Sequence, residues 1–403
     1  MIKLGVILDE PFLFYREDYY SFANWYIFAD AIANHFDEAV LYVPVKTVDT
    51  LPQGVSIVEI NNMTINGRFY YSSFYSYYLR LFFNVRNIRK LVRNIIIRND
   101  IVLTRLPNAL TPFLVKNAKK SKKKFVTIVA GNIVTQSNVV TNGGLMSFIA
   151  KPFVQKISSY EHELAKISQL VIAYGDELEK RFLPYSLSLL KSKTATIYDK
   201  NLFSRNDTFH DCSNVTVIRV ASIIRSKGID LFLELAHKLR NKYIGVSFKF
   251  ISAGRIADLD YYEELKNYIK EYKLEDVVMF HSHVKFGEEL FDLYKMSDVQ
   301  IITSKSEGVP RAIIEGASMS LPLIATKVGG IPSAVEDGVT GLLVSPDSVD
   351  EIVDAFDVMY NNSTLRKKLI KQSFAQASDH TIEKASLSIA NSIKSLCDVE
   401  TRL

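Results

Sequence analysis

Short apolar runs separated by amphipathic stretches recur along most of this chain. In the first half, runs at 4–8, 39–43, 55–60, 101–104, 125–130 and 170–173 are too short for helices and predict buried strands. The stretches 22–35, 85–97, 109–119 and 148–167 repeat apolar residues at three and four positions, which predicts amphipathic helices. A polar stretch from Asp199 to Asp207 then breaks the rhythm and reads as an interdomain link. Beyond it the alternation restarts, with strands expected at 215–220, 246–251, 277–280, 299–302, 321–326 and 341–344. Helices are expected between them at 229–243, 261–272 and 288–296, followed by polar helices as far as Leu396. Strand and helix in alternation imply parallel sheets covered on both faces, and such sheets bind ligands at the carboxyl ends of their strands. The expectation is α/β, with domains at 1–203 and 204–380 and a terminal helix at 381–403 packing back on the first domain.

With 403 residues, 48% apolar and 23% charged, the chain has room for two ordinary globular cores. No run reaches the roughly 18 to 20 apolar residues that span a bilayer. The apolar run Ile2–Leu8 is too short for a signal peptide and reads as the first strand. Cys212 and Cys397 make no framework or metal pattern, so reduced thiols in a cytoplasmic protein are expected.

The net charge of +5 hides an asymmetry. From Arg68 to Lys156 there are 16 Lys or Arg against one acid, Asp100, whereas residues 201–403 carry 24 basic and 28 acidic side chains. Charge separated this way points the first domain at a polyanion, membrane or nucleic acid. No recognised nucleic-acid module is present, so no nucleic-acid partner is expected. The segment Arg68–Phe83 is dense in aromatics, with two arginines and no acid. It reads either as core aromatics on a helix or as an interfacial segment with rings at headgroup depth and Arg on anionic lipid. The wide positive field favours the second reading, a peripheral protein on the inner face of the cell membrane. Lys119–Lys124 reads as a solvated face.

The stretch Thr303–Ala317 lies between the apolar runs Val299–Ile302 and Leu321–Thr326. Its polar loop ends at Pro310, a residue suited to open a helix because it has no N–H to leave unpaired. The N–H groups at a helix start, with the helix dipole, favour phosphate. Glu307 falls in the loop and Glu315 in the second helical turn, and ionised carboxylates can accept from sugar hydroxyls. Taken alone, two such glutamates read equally well as capping and surface residues.

The surrounding words narrow the choice. Ser304-Lys305-Ser306-Glu307-Gly308-Val309-Pro310, the Glu307/Glu315 spacing, Leu321 through Pro332, and Glu336 through Val344 resemble the signature of retaining glycosyltransferases of family 4. The resemblance implies the GT-B fold, two doubly wound Rossmann-like domains facing a cleft. It implies a metal-independent hexosyltransferase that moves a sugar from a nucleoside-diphosphate-sugar donor to a glycan or lipid-linked acceptor with retention. Bacterial surface polysaccharide synthesis is the expected setting, and no cofactor is implied. Glu315 would hold the ribose. Glu307 and the N–H groups of Gly308, Val309 and Arg311 would orient the donor sugar and phosphates, Pro310 having none. Lys227, with Arg225, would stabilise the leaving diphosphate. Gly254 would approach the nucleotide, and Phe280 and His281 would border its base.

The match is also broken in places. Where the family has Arg, this chain has Ser222, so Arg225 or Arg219 substitutes or that interaction is lost. No glycine turn follows the first strand; the chain reads Pro11-Phe12-Leu13-Phe14-Tyr15 instead. Asn132, just past the strand at 125–130, is either an acceptor contact or a plain turn residue. Asp258-Leu259-Asp260 reads as a helix cap, and His281 with His283 lacks a third metal ligand. Two other readings stay open: a nucleotide-sugar epimerase of the same architecture, and a non-catalytic nucleotide-sugar-binding subunit.

Overall fold

The computed structural model of the chain describes residues 1–52, 54–69, 74–131, 145–192, 195, 197–209, 211–282 and 284–398, with backbone only at 69, 74–83, 145–154, 176 and 398. It divides into two units, Met1–Lys193 with Glu383–Leu403, and Thr194–Ile382.

The first unit is built on a ten-stranded sheet. Its strands are β1 (Lys3–Ile7), β2 (Phe12–Tyr15), β3 (Asp18–Ser21), β4 (Glu38–Thr47), β5 (Ser56–Ile57), β6 (Thr64–Phe69), β7 (Ile101–Leu106), β8 (Lys124–Val129), β9 (Leu170–Tyr174) and β10 (Leu189–Ser192). They run in the order β10-β9-β8-β7-β1-β4-β2-β3-β5, with β6 also on β4. The pairings are parallel except β2–β3 and β3–β5. β1 lies between β4 and β7, Gly5 facing Val40 on one side and Val102 on the other. The helices are α1 (Trp25–Ala33), α2 (Phe74–Arg98), α3 (Thr111–Ala118), α4 (Leu145–Ile167) and α5 (Asp176–Phe182). Ile88, Val92 and Ile95 recur at helical spacing on α2 and are buried with Phe113, Leu114 and Leu164 against Val102, Phe125 and Val171. A last helix, residues Ile382–Asp398, sets Ser386 Oγ 3.4 Å from His35 Nε2 and Lys394 over the ring of Phe36.

Two features depart from the expected pattern. The β2–β3 hairpin turns through Arg16 and Glu17, both at positive φ (47° and 75°), without the Gly or Asn that announces such a turn. Arg68 belongs to β6, not to the helix that follows, and its buried guanidinium donates to the Leu8 carbonyl and pairs with Asp9. A cation held this way is not available to lipid, so Arg68 leaves the interfacial segment. The rings of Phe69 to Phe83 lie outside the described side chains.

The second unit has a six-stranded, wholly parallel sheet of β11 (Asn214–Val220), β12 (Ser247–Ala253), β13 (Val278–His281), β14 (Val299–Ile302), β15 (Leu323–Thr326) and β16 (Leu342–Val344). The order is β13-β12-β11-β14-β15-β16. Its helices are α6 (Ile229–Lys242), α7 (Leu259–Glu271), α8 (Glu288–Lys295), α9 (Arg311–Ser318), α10 (Ile331–Ala334), α11 (Val349–Asn361) and α12 (Ser363–Ser378). Phe232, Leu235 and Leu239 form the apolar stripe of α6 and bury against Val217, Phe248 and Phe250. Asp258 Oδ1 accepts from the Tyr261 N–H at 3.0 Å, the capping role expected for it. The chain runs from β11 outward to β13, then crosses back to start β14 on the other side of β11. A doubly wound sheet opens its ligand crevice at such a reversal.

Candidate functional site

Two loops meet at the carboxyl ends of β11 and β14. The first, 221–228, contains a tight turn at Arg225–Lys227 and ends at Gly228. The second, 303–310, leads to α9. The N–H groups of Lys305 and Ser306 donate to the Ser226 carbonyl at 2.9 and 3.3 Å, and Thr303 Oγ1 donates to the Lys227 carbonyl at 3.1 Å. Gly228 stands at φ 59°, where a Cβ would lie 2.1 Å from the Thr303 carbonyl oxygen, so no other residue lets the loops close this far. From the other side, Gly329 at φ 52° would place a Cβ 1.8 Å from the Glu307 carbonyl oxygen. Gly330 N–H donates to the Gly308 carbonyl at 3.0 Å, and Thr326 Oγ1 to the Ser304 carbonyl at 2.6 Å. The Lys327-Val328-Gly329-Gly330 word thus acts as a backbone clamp on the Glu307 loop.

The clamp brings together side chains 80 positions apart in sequence. Lys227 Nζ is 2.5 Å from Glu307 Oε1, and Ser304 Oγ donates to the same oxygen at 3.0 Å. Both partners keep part of their surface, at 19% and 11% exposure. Under them lies Arg219, buried in β11. Its Nη1 donates to Ser252 Oγ at 3.0 Å and its Nη2 to the Lys227 carbonyl at 3.3 Å, while Nε has no partner among the described residues. Burial lowers its pKa to about 10, with Tyr261, Glu307 and Asp230 opposing, so it remains a cation at neutral pH. Arg219, Thr303, Ser304, Glu307 and Pro310 line one small pocket. Two cations thus share one carboxylate. A buried cation without its own counter-ion is costly, and an incoming anion would offset that cost.

Arg225 is placed elsewhere. It is 59% exposed, pairs with Glu264 at 2.5 Å and lies over the Tyr261 ring at 4.8 Å. Its pKa is raised chiefly by the hydrogen bond to Glu264. The expectation that Arg225 stands with Lys227 is therefore corrected: the turn points its side chain outward onto α7. Of the two arginines that could answer for Ser222, Arg219 is the one at the pocket.

The remaining expected residues fall around this centre. Pro310 caps α9 with extended backbone, one position outside the helix it was expected to open. The N–H groups of Gly308 and Val309 have no hydrogen-bond acceptor among the described residues. Arg311 begins α9. Glu315, one turn further, is buried, and Tyr294 donates its hydroxyl to Oε2 at 3.2 Å. Burial raises the Glu315 pKa, opposed by the Arg311 charge and the Tyr294 bond. Tyr294 was not foreseen, since nothing in the sequence joins α8 to α9. Gly254, just past β12, lies against the Ala221 carbonyl and donates its N–H to the His281 carbonyl at 3.0 Å. Phe280, beside His281 at the end of β13, meets Tyr262 edge-on at 5.2 Å. Asn132 and His283 lie outside the described residues. No group of three His, Cys, Asp or Glu able to hold a metal occurs among the described residues.

The reversal between β1 and β7 in the first unit is closed by acids. Asp9 accepts from the Ala109 N–H and pairs with Arg68. Glu10 accepts from the N–H groups of Trp25 and Tyr26 at 2.9 and 3.1 Å, capping α1. Two side chains fill the place where the family resemblance implies a glycine turn.

Residues 202–376 match the family model for glycosyl transferases group 1. The whole chain superposes on Anabaena HepE, solved in complex with UDP, with a TM-score of 0.68 over 98% of this chain and 100% of that one at 16% identity. The fold is GT-B. Among sequences, a D-inositol 3-phosphate glycosyltransferase of Paenarthrobacter aurescens is 26% identical over 208 residues, covering 51% of this chain and 49% of the relative. WcaL of Escherichia coli, whose name assigns it to colanic acid biosynthesis, is 30% identical over 152 residues, 36% of each chain. The chain spans about half the length of the curated relatives it matches. The residues that match that family model thus contain both clamped loops, Lys227, Glu307 and Glu315.

Proposed function

We propose that the second unit binds a nucleoside-diphosphate sugar and that the protein transfers the sugar, with retention, to a hydroxyl of a glycan or lipid-linked acceptor. The observation that carries this reading is the Lys227–Glu307 pair held over buried Arg219 at the β11/β14 reversal. Lys227 and Arg219 would receive the diphosphate. The N–H groups of Gly308, Val309 and Arg311, at the start of α9, would add to that field. Glu307 would turn toward the sugar hydroxyls once its lysine engages phosphate, and Glu315 would hold the ribose.

In the step itself, the bond from the anomeric carbon to the phosphate oxygen breaks and the acceptor oxygen bonds to that carbon on the same face. The acceptor proton passes to the departing phosphate. Charge grows on that oxygen as the bond breaks, so fixed cations there stabilise the transition state more than the ground state. The UDP in HepE and the names of the sequence relatives support a nucleotide-sugar donor and a polysaccharide setting. No described helix is long and apolar enough to cross a membrane. A peripheral position on an anionic surface is part of the proposal and rests on the basic first unit.

The test is turnover. The purified protein is offered UDP-, GDP- and dTDP-sugars, with and without glycan and lipid-linked acceptors, and the anomeric signal of the product is followed by NMR. A product with the donor's anomeric configuration supports the reading. An inverted product would overturn the retaining step, and binding of a nucleotide sugar with neither transfer nor hydrolysis would make this a binding subunit.

Glu315→Gln should weaken nucleotide binding by about tenfold, the cost of one well-placed hydrogen bond of roughly 1.4 kcal/mol. The neutral amide keeps the size of the carboxyl, so the melting temperature should stay within a few degrees. Unchanged calorimetric affinity with a lowered melting temperature would assign Glu315 to the Tyr294 bond alone.

A further inference from the structure

The first unit carries a second charged feature, distant from the carboxyl ends of its strands. Arg89, Lys90 and Arg93 on α2, with Lys116 and Lys120 at the end of α3, surround a groove floored by Phe113 and Asn117. All five cationic side chains are exposed. None has a carboxylate partner among the described residues. The nearby basic residues that do have one stand outside the groove: Lys119 pairs with Glu163 at 2.7 Å and Lys123 with Asp100 at 2.9 Å. Arg89 and Arg93 are four apart on one face of α2, a spacing at which like charges repel, and Lys116 in the last turn of α3 stands close to Lys120 in the turn just past it. Five mutually repelling cations therefore surround one concavity, with no carboxylate partner among the described residues to relieve them.

Topology separates this groove from the strands' ligand edge. α3 begins after the carboxyl end of β7 and its far end leads into the start of β8, while α2 runs into the start of β7. Lys116 and Lys120 thus lie toward the amino ends of the strands. The inward faces of both helices are buried against the sheet through Val92, Ile95 and Leu114, which leaves the groove on the outer surface.

We propose that the α2–α3 groove is where the protein receives phosphate headgroups of an anionic membrane. The inference rests on the membrane-surface part of the functional proposal and gives it a site. Five unpaired cations spread over two helices exceed what one small phosphate needs. They suit an array of phosphodiesters, each of which can be shared by two cations.

The test is vesicle sedimentation of the full chain with phosphatidylglycerol–phosphatidylcholine or pure phosphatidylcholine vesicles, at about 0.15 M ionic strength, where screening confines the field to roughly 8 Å. The groove variant is Arg93→Gln with Lys116→Gln. The control, Lys119→Gln with Lys123→Gln, removes the same net charge from cations that already have partners. Melting curves confirm that both are folded. The parent should sediment with the anionic vesicles only. The groove variant should bind about 30-fold more weakly, since each cation at such a surface contributes about a fivefold factor. The control should lose less than about fivefold. If the groove variant binds like the parent, or both variants lose equally, the groove is overturned while membrane attachment stands. A parent that ignores anionic vesicles overturns both. Displacement of the parent by millimolar inorganic phosphate would show a single-phosphate site and overturn the lipid as its source.

Discussion

Lys227→Ala is expected to lower kcat by about 100- to 1000-fold, the range seen when one group stabilising transition-state charge is removed. Two effects act together. The cation that would meet the departing diphosphate is lost, and Glu307, now without its partner at 2.5 Å, faces an incoming dianion. Arginine at position 227 should restore part of the activity, because it keeps the charge but spreads it over a planar fork that the clamped loop was not shaped for. Lys227→Ala with Glu307→Ala should bind nucleoside diphosphates more tightly than Lys227→Ala alone, since the second change removes the repelling carboxylate; contacting residues are not additive. Steady-state kinetics and calorimetry on the three variants test this together. A Lys227→Ala enzyme within about twofold of the parent would remove the lysine from the chemistry.

Arg219→Met is expected to cost about 100-fold in kcat while leaving the melting temperature unchanged or higher. The Arg219 Nε has no partner among the described residues, and the two hydrogen bonds of the guanidinium go to neutral oxygens, Ser252 Oγ and the Lys227 carbonyl, so they do not offset the desolvation of the charge. Apolar replacements of buried ionic groups are often neutral or stabilising by about 1 to 4 kcal/mol. Retaining such a group against that cost is consistent with a role toward an anion. Arg225→Ala is the companion measurement. Its pairing with Glu264 is exposed and screened by solvent, so it contributes little and turnover should change less than about threefold. If Arg219→Met unfolds at lower temperature with activity per folded molecule intact, Arg219 is a support for the Lys227 carbonyl and nothing more. If Arg225→Ala carries the larger loss, the assignment of the two arginines is reversed.

The parts of this site that were legible are those written in consecutive residues. The run Val299–Ile302, the loop to Pro310 and the helix carrying Glu315 announced themselves by a switch from continuous apolar residues to helical spacing. The Gly329-Gly330 pair was visible as a word, but its work as a clamp appears only when the Glu307 carbonyl is seen against it. Arg219 could be named as a candidate and not chosen over Arg225, because residues six apart were separated by a turn whose direction depends on Glu264 and Tyr261, more than 30 positions away. The Tyr294–Glu315 bond was invisible for the same reason. In the first unit, the β2–β3 hairpin escaped because its turn uses Arg16 and Glu17 at positive φ. Arg68 was misplaced because aromatic residues recur in the sequence from Phe69 to Tyr78, across both the end of β6 and the start of α2, and period alone does not mark the boundary.

A diphosphate site at the β11/β14 reversal is open to calorimetry. Uridine, UMP and UDP, with the guanosine and thymidine series beside them, are titrated into the parent protein and into Lys227→Ala. For the preferred base the diphosphate should bind at least about tenfold more tightly than the monophosphate, a gap of roughly 1.4 kcal/mol. Lys227→Ala should close most of that gap while leaving the nucleoside affinity where it was. Equal affinity for mono- and diphosphate in the parent, or a gap that survives the loss of Lys227, would contradict a diphosphate site there.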